Sequence, residues 1–186
     1  ELRRTMPGEN IVYFGDTGRV PYGTRSREIV RKYARQDIRF LLSRGVKMII
    51  AACNTVSASI LPEDVRSLAV PFVEVLHPAV EVAAAATRNG KIGLIATPST
   101  IRSGAYERAM RETAPDAQIV GAPCALFVPL VENGFTAPDN KVTRLVAEQY
   151  LAPILESGAD TLILGCTHYP VLKPIIAQIM GESVTL

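Results

Sequence analysis

Ile49-Ile50-Ala51-Ala52-Cys53-Asn54-Thr55 and Leu162-Ile163-Leu164-Gly165-Cys166-Thr167-His168 are two versions of one sentence: a short apolar run, a cysteine, then small polar residues. The match extends upstream. Leu42-Ser43-Arg44-Gly45 corresponds to Leu155-Glu156-Ser157-Gly158, and Ala34-Arg35-Gln36 to Ala147-Glu148-Gln149, all at the constant offset of 113 positions that separates Cys53 from Cys166. Each copy reads as an amphipathic helix, a Gly-containing turn, a buried strand and a thiol. A two-fold repeat that ends both times in sulfur points to a site with one thiol on each side of a bound molecule.

Around this repeat, short apolar runs alternate with segments of helical period. That is the pattern of βα units around a parallel sheet, so the expected fold class is α/β, with two pseudo-symmetric domains, each a mostly parallel sheet flanked by helices. Strands are expected at Ile11–Phe14, Val46–Ala52, Phe72–Val75, Lys91–Ala96, Gln118–Gly121 and Thr161–Leu164, with a last one at Ser183–Leu186. A helix of about five turns precedes the second strand, carrying Val30, Ala34, Ile38 and Leu41 on one stripe. Further helices are expected near His77–Arg88, Thr100–Glu112, Pro138–Leu155 and Tyr169–Met180, and the opening residues read as the tail of a helix running into Pro7-Gly8. The expected division places residues 1–96 in the first domain and 97–186 in the second, with Thr97-Pro98-Ser99-Thr100 at the crossover.

Composition narrows the function. The chain has 186 residues, 48% of them hydrophobic, which supports a packed core; its apolar runs fall far short of the roughly 20 residues that span a bilayer. The formal net charge is +2, and the group Arg25, Arg27, Arg31, Lys32 and Arg35 lacks an aromatic stacking platform, so it reads as a solvated helix face and no nucleic-acid partner is expected. Three cysteines without CxxC spacing fit neither a disulfide scaffold nor a structural zinc site; no metal is expected, and a reducing cytoplasm is the natural setting. The first residues lack the apolar core of a signal peptide, and no initiator Met is present, so the chain is expected to start inside a longer protein.

Both cysteines fall where a strand ends and a helix begins. In open α/β sheets ligands bind beyond the carboxyl ends of the strands, and helix N-termini there favour a thiolate or a bound carboxylate. One buried cysteine at a strand end is ordinarily a small hydrophobe. A repeated pair, flanked by Asn54-Thr55 and by Thr167-His168, shifts the reading to chemistry. His168 can supply or accept a proton near neutral pH, and Glu132 could orient it. The loop Gly15 to Thr24 is rich in turn formers: Tyr22 and Thr24 could bond an anionic substrate, Gly23 allows close backbone approach, and the alternative is a surface turn with Thr24 as a helix cap. Thr97 offers a hydroxyl for capping or for a carboxylate. His77 reads as a helix-start residue and Cys124 as structural. No Gly-rich phosphate cradle, Walker loop, GxSxG elbow or cofactor-like lysine is present. What remains suits proton abstraction beside a carboxylate, with one thiolate removing the proton and the opposite thiol returning one.

Four stretches, Phe14–Thr24 (FGDTGRVPYGT), Ala51–Thr55 (AACNT), Leu126–Gly134 (LFVPLVENG) and Gly165–Pro170 (GCTHYP), resemble in order and spacing the glutamate racemases of the aspartate/glutamate racemase superfamily. The resemblance covers essentially the whole chain. It implies two α/β domains with glutamate between them, no cofactor, D-glutamate supply for peptidoglycan, and a homodimer. By motif match, Cys53 would act on the D-enantiomer and Cys166 on the L-enantiomer. Pro21, Tyr22, Gly23, Asn54, Thr55, Thr97 and Thr167 would hold the substrate, and His168, supported by Glu132, would assist Cys166. Two family features are missing, an opening strand ending in Asp-Ser-Gly and a C-terminal return segment, so the chain is expected to lack both ends. An alternative is therefore an impaired fragment that retains only ligand or subunit binding, and another is a one-thiol enzyme such as a decarboxylase.

Overall fold

The computed structural model describes residues 2–186. A short helix α1 (Leu2–Thr5) leads through an irregular segment to α2 (Arg27–Leu42), after which β1 (Ile49–Ala51), α3 (Asn54–Ser59), α4 (Pro62–Val65), β2 (Phe72–Glu74) and α5 (Leu76–Ala86) follow. Then come β3 (Lys91–Ala96), α6 (Pro98–Ser103), α7 (Ala105–Thr113), β4 (Gln118–Pro123), α8 (Phe127–Glu132), α9 (Lys141–Ser157), β5 (Thr161–Gly165), a 3-10 turn (Tyr169–Leu172) and α10 (Lys173–Met180). All strand pairing is parallel. β1 pairs with β2, and β3 lies between β4 and β5 in a separate three-stranded sheet.

The repeat is physical as well as textual. α2 and α9 occupy equivalent places in the two copies, and each is followed by a glycine in the left-handed region, Gly45 at φ 69° and Gly158 at φ 72°. An L side chain is disfavoured there, so the same residue closes the same turn twice. β1 and β5 then carry their cysteines to the carboxyl ends of the two sheets. Beyond the thiols the copies diverge. α3 begins directly after Cys53, whereas Thr167 and His168 intervene between Cys166 and the 3-10 turn.

Most of the core belongs to the three-stranded sheet. On one face Ile95 and Leu162 pack with Leu151 and Ile154 of α9, Ile175 and Ile176 of α10, Phe127 and Tyr169; on the other Ile92, Leu94 and Ile163 meet Leu76, Val80, Tyr106 and Met110 of α5 and α7. α2 contributes the expected stripe, with Val30, Ala34 and Ile38 buried and Leu41 half-buried. Two of its basic residues share one carboxylate: Arg31 Nε donates to Asp64 Oδ2 at 2.8 Å and Arg35 Nε to Asp64 Oδ1 at 2.6 Å. These bonds hold the Asp64 carboxyl down at about 2 against its burial.

Three expectations need revision. Ile11–Phe14 forms no strand; no ladder partner binds it, Tyr13 is 89% exposed, and Phe14 instead meets the Phe40 ring at 4.9 Å. The single helix expected over Thr100–Glu112 is two, because Gly104 at φ 61° ends α6 and starts α7. The last strand reduces to one parallel bridge, Thr161 to Thr185. β3 hydrogen-bonds to β4 and β5, so the change of sheet falls between β2 and β3.

Candidate active site

Cys53 is the N-cap of α3, in extended backbone with ψ at 117°, half-buried at the end of the β1 side. Burial pushes its thiol up, while the N–H groups of Val56 and Thr55 and the Thr55 hydroxyl pull it back toward the thiolate. Cys166 follows β5 and is 8% exposed. Burial pushes the Cys166 thiol up to about 11; the His168 N–H and the Thr167 hydroxyl oppose this, and negative charge on Cys53 and Glu132 adds to it. Charge on Cys53 thus opposes ionisation of Cys166, which disfavours the state in which both are thiolates.

A relay stands behind Cys166. His168 Nδ1 lies 3.7 Å from its sulfur, and His168 Nε2 lies 3.1 Å from Glu132 Oε1 at the end of α8. The acid that sequence reading picked out as a lone carboxylate is therefore the outer member of a Cys–His–Glu chain, although its side chain is 53% exposed. Cys53 has no comparable acid or imidazole partner among the described residues.

Beside Cys53 lies a polar floor. Thr55 Oγ1 is 3.0 Å from Thr97 Oγ1 and 3.5 Å from Thr100 Oγ1, and the last two are 3.0 Å apart, so three buried hydroxyls share their protons. Thr97 also caps α6 by accepting from the Thr100 N–H at 3.3 Å. Of the roles anticipated for Thr97, capping is the one the structure shows. Asn54 Oδ1 accepts from the Tyr106 hydroxyl at 2.5 Å. Tyr106, on α7, carries no motif, and only the fold brings it here.

The Pro21-Tyr22-Gly23 loop reaches this floor through its backbone. Gly23 C=O accepts from the Ser99 N–H at 2.9 Å, and a Cβ at Gly23 would sit 2.7 Å from Thr97 Cβ, so only glycine permits the approach. The Tyr22 phenol turns away instead, donating to Asp16 and, at 3.2 Å, to Asp37 Oδ2 of α2. Arg19 completes the clamp, with Nε 2.8 Å from Asp16 Oδ1 and Nη2 2.7 Å from Asp37 Oδ1. Burial and the two carboxylates push the Tyr22 phenol well above its usual range, so it stays a donor. Its side chain is an anchor for the loop. Thr24 does not cap α2; Ser26 does, accepting from the Ile29 N–H at 3.4 Å.

The remaining candidates fall outside the constellation. His77 sits in the first turn of α5 with Nδ1 2.6 Å from Glu74 Oε1, as a helix-start residue would. Cys124 is fully buried, its S–H 3.4 Å from the Ala122 carbonyl, and Tyr169 donates to the Cys124 carbonyl at 2.9 Å. Two surface grooves, one between α7 and β4 around Glu107 and Arg111 and one beside α2 around Arg35 and Leu68, contain neither Cys53 nor Cys166. Convergent polar groups, not cavity size, mark the site. Among the described residues no group of three or more His, Cys, Asp or Glu side chains could hold a metal ion.

Residues 2–185 match the family model described as Asp/Glu/Hydantoin racemase. The chain belongs to that family. Among curated members, the glutamate racemases of Geobacter metallireducens and Syntrophus aciditrophicus are 47% and 48% identical to it over the whole of this chain, which spans 68% of each of them. Two solved structures align with this racemase-family chain over nearly its full length. A glutamate racemase isoform of Bacillus anthracis does so with a TM-score of 0.94 at 38% identity, and the glutamate racemase of Francisella tularensis, solved with D-glutamate, with 0.91 at 39%; this chain covers 68% of each. The racemase resemblance carried by the four motifs is thereby shown, as is the α/β class with parallel sheets. No helix among the described residues is long and apolar enough to cross a membrane.

Proposed function

We propose that this chain interconverts L- and D-glutamate by two-thiol proton transfer without a cofactor, supplying D-glutamate for peptidoglycan in the cytoplasm, and that it works as a homodimer. The observation that carries the reading is the repeated strand-end thiol, Cys53 opening α3 and Cys166 backed by His168 Nδ1 at 3.7 Å, with charge on Cys53 opposing ionisation of Cys166. A two-thiol transfer needs one thiolate and one thiol at the same moment, and mutual repulsion opposes the state in which both are charged. In one direction Cys166 as thiolate takes the α-proton of L-glutamate. The electron pair passes into the α-carboxylate, and the Cys53 thiol delivers its own proton to the opposite face of the carbon. The enzyme finishes with charge on Cys53, ready to run the reverse sequence from D-glutamate. His168 and Glu132 tune Cys166. The Thr55, Thr97 and Thr167 hydroxyls, the Asn54 amide and the backbone at Pro21, Tyr22 and Gly23 surround the carboxylates and the ammonium. Two α/β units flank the substrate in this scheme, and the sheet change supports a division between α5 and β3 in place of 96/97.

The deciding experiment follows circular dichroism of separate L- and D-glutamate solutions in deuterated water. Inversion from both sides, with solvent deuterium at the product α-carbon in the first turnover, is the expected result. Inversion without deuterium entry would reject thiol-mediated exchange, and no inversion from either side would reject the activity.

A further inference from the structure

Tyr106 is 1% exposed, lies on α7 away from every motif, and donates its only hydroxyl proton to Asn54 Oδ1 at 2.5 Å. A side-chain amide has one accepting end and one donating end, and a planar geometry that ties them together. With Oδ1 engaged by α7, Nδ2 turns the other way, and among the described residues nothing accepts from it. Asn54 is the first residue of α3, directly after Cys53, and is itself 9% exposed, so its backbone leaves little room for a different placement.

We propose that Tyr106 is a positioning residue whose hydroxyl fixes the Asn54 amide with its NH2 group facing the space beside the thiols, as an obligate donor to the substrate's α-carboxylate. The proposal rests on the racemase reading above. Proton removal from the α-carbon shifts charge onto that carboxylate, so a donor held there strengthens its bond as the reaction proceeds. Were the amide free to turn, its carbonyl oxygen would meet the carboxylate and repel it. A tyrosine is suited to this control: burial, with Glu74 and Cys166 nearby, keeps its phenol protonated far beyond neutral pH, so it cannot switch from donor to acceptor-only. Its ring is packed among Leu94, Met110 and Ala109 in the core around α5 and α7, which immobilises the hydroxyl.

The test is a double-mutant cycle read by α-proton exchange of glutamate in deuterated water. Tyr106→Phe keeps the ring and is expected to lower kcat/KM about tenfold, the effect of one misoriented hydrogen bond. In an Asn54→Ala background the same change is expected to cost less than about twofold. Equal losses in both backgrounds overturn the proposal, because Tyr106 would then act by another route. A second measurement needs no variant at position 106. In protein labelled with 15N-asparagine, the Asn54 side-chain NH2 pair, assigned by its loss in Asn54→Ala, is expected to shift on titration with D-glutamate. An unmoved pair, in protein that racemises glutamate, also overturns the proposal. Protein that neither turns over nor binds glutamate refutes the parent reading, and with it this one.

Discussion

The two cysteines arrive by the same route and are equipped differently. Cys166 ends the central region of the molecule, on a strand buried between two helical layers, with an imidazole at 3.7 Å and a carboxylate behind it. Cys53 ends a two-stranded sheet, and what favours its thiolate is the start of α3 and the Thr55 hydroxyl. The repeat therefore duplicates the delivery of a thiol, namely helix, left-handed glycine, strand and sulfur, and leaves the proton-handling apparatus unduplicated. In the proposed two-thiol transfer, pseudo-symmetry would supply a group on each face of one carbon, and the asymmetric surroundings would suit a substrate whose two faces are not equivalent.

The strongest way to break this comparison is to remove each sulfur. Cys53→Ala and Cys166→Ala are each expected to lower inversion by more than about 10³-fold, since both a base and an acid are required in either direction. Retention of inversion by either variant in a circular dichroism assay would point to a one-thiol mechanism.

The pH profile gives the next largest effect. Both thiols are raised by burial, Cys166 to about 11, so the thiolate that the proposed transfer uses as base is the minor form near neutrality. Because that form grows as pH climbs toward the raised value, kcat/KM is expected to increase between pH 7 and 9 by up to about tenfold per unit. A flat profile across that range would mean that neither thiol must lose its proton.

His168→Asn sharpens the comparison further, with an expected loss of about 10²-fold. The equilibrium constant between enantiomers is one, so kcat/KM must fall equally in both directions. The inequality of the two sides shows instead in the α-deuterium isotope effect, which is expected to grow for L-glutamate, whose proton Cys166 removes. Equal isotope effects for both enantiomers would contradict the pairing of His168 with Cys166. Glu132→Gln acts at one remove and at a half-exposed position, so a loss of about tenfold or less is expected. The smallest effect belongs to the loop anchor. Tyr22→Phe removes the phenol from the Asp16–Arg19–Asp37 clamp, and is expected to raise KM a few-fold with kcat nearly unchanged. A fall in kcat with unchanged KM would place Tyr22 closer to the chemistry.

Local pattern determined a good deal of this protein. The strands β3 and β5, the α2 stripe and the strand-end position of both cysteines were legible because each follows from periodicity and from residues a few places away. The same local view failed at Ile11–Phe14, where an apolar run has strand propensity but a strand exists only if another strand accepts its hydrogen bonds. It failed again at Thr100–Glu112, where helical period continues across Gly104 although the backbone turns there. Tyr22 and Tyr106 mark the boundary most clearly. The PYG motif makes Tyr22 look like a substrate contact, and nothing in the chain around Tyr106 suggests a role at all. Which phenol turns toward α2 and which toward Asn54 depends on partners 15 and 52 residues away. A hydrogen bond between distant segments is set by how helices and sheets pack, and that information resides in the tertiary arrangement and not in any one stretch of sequence.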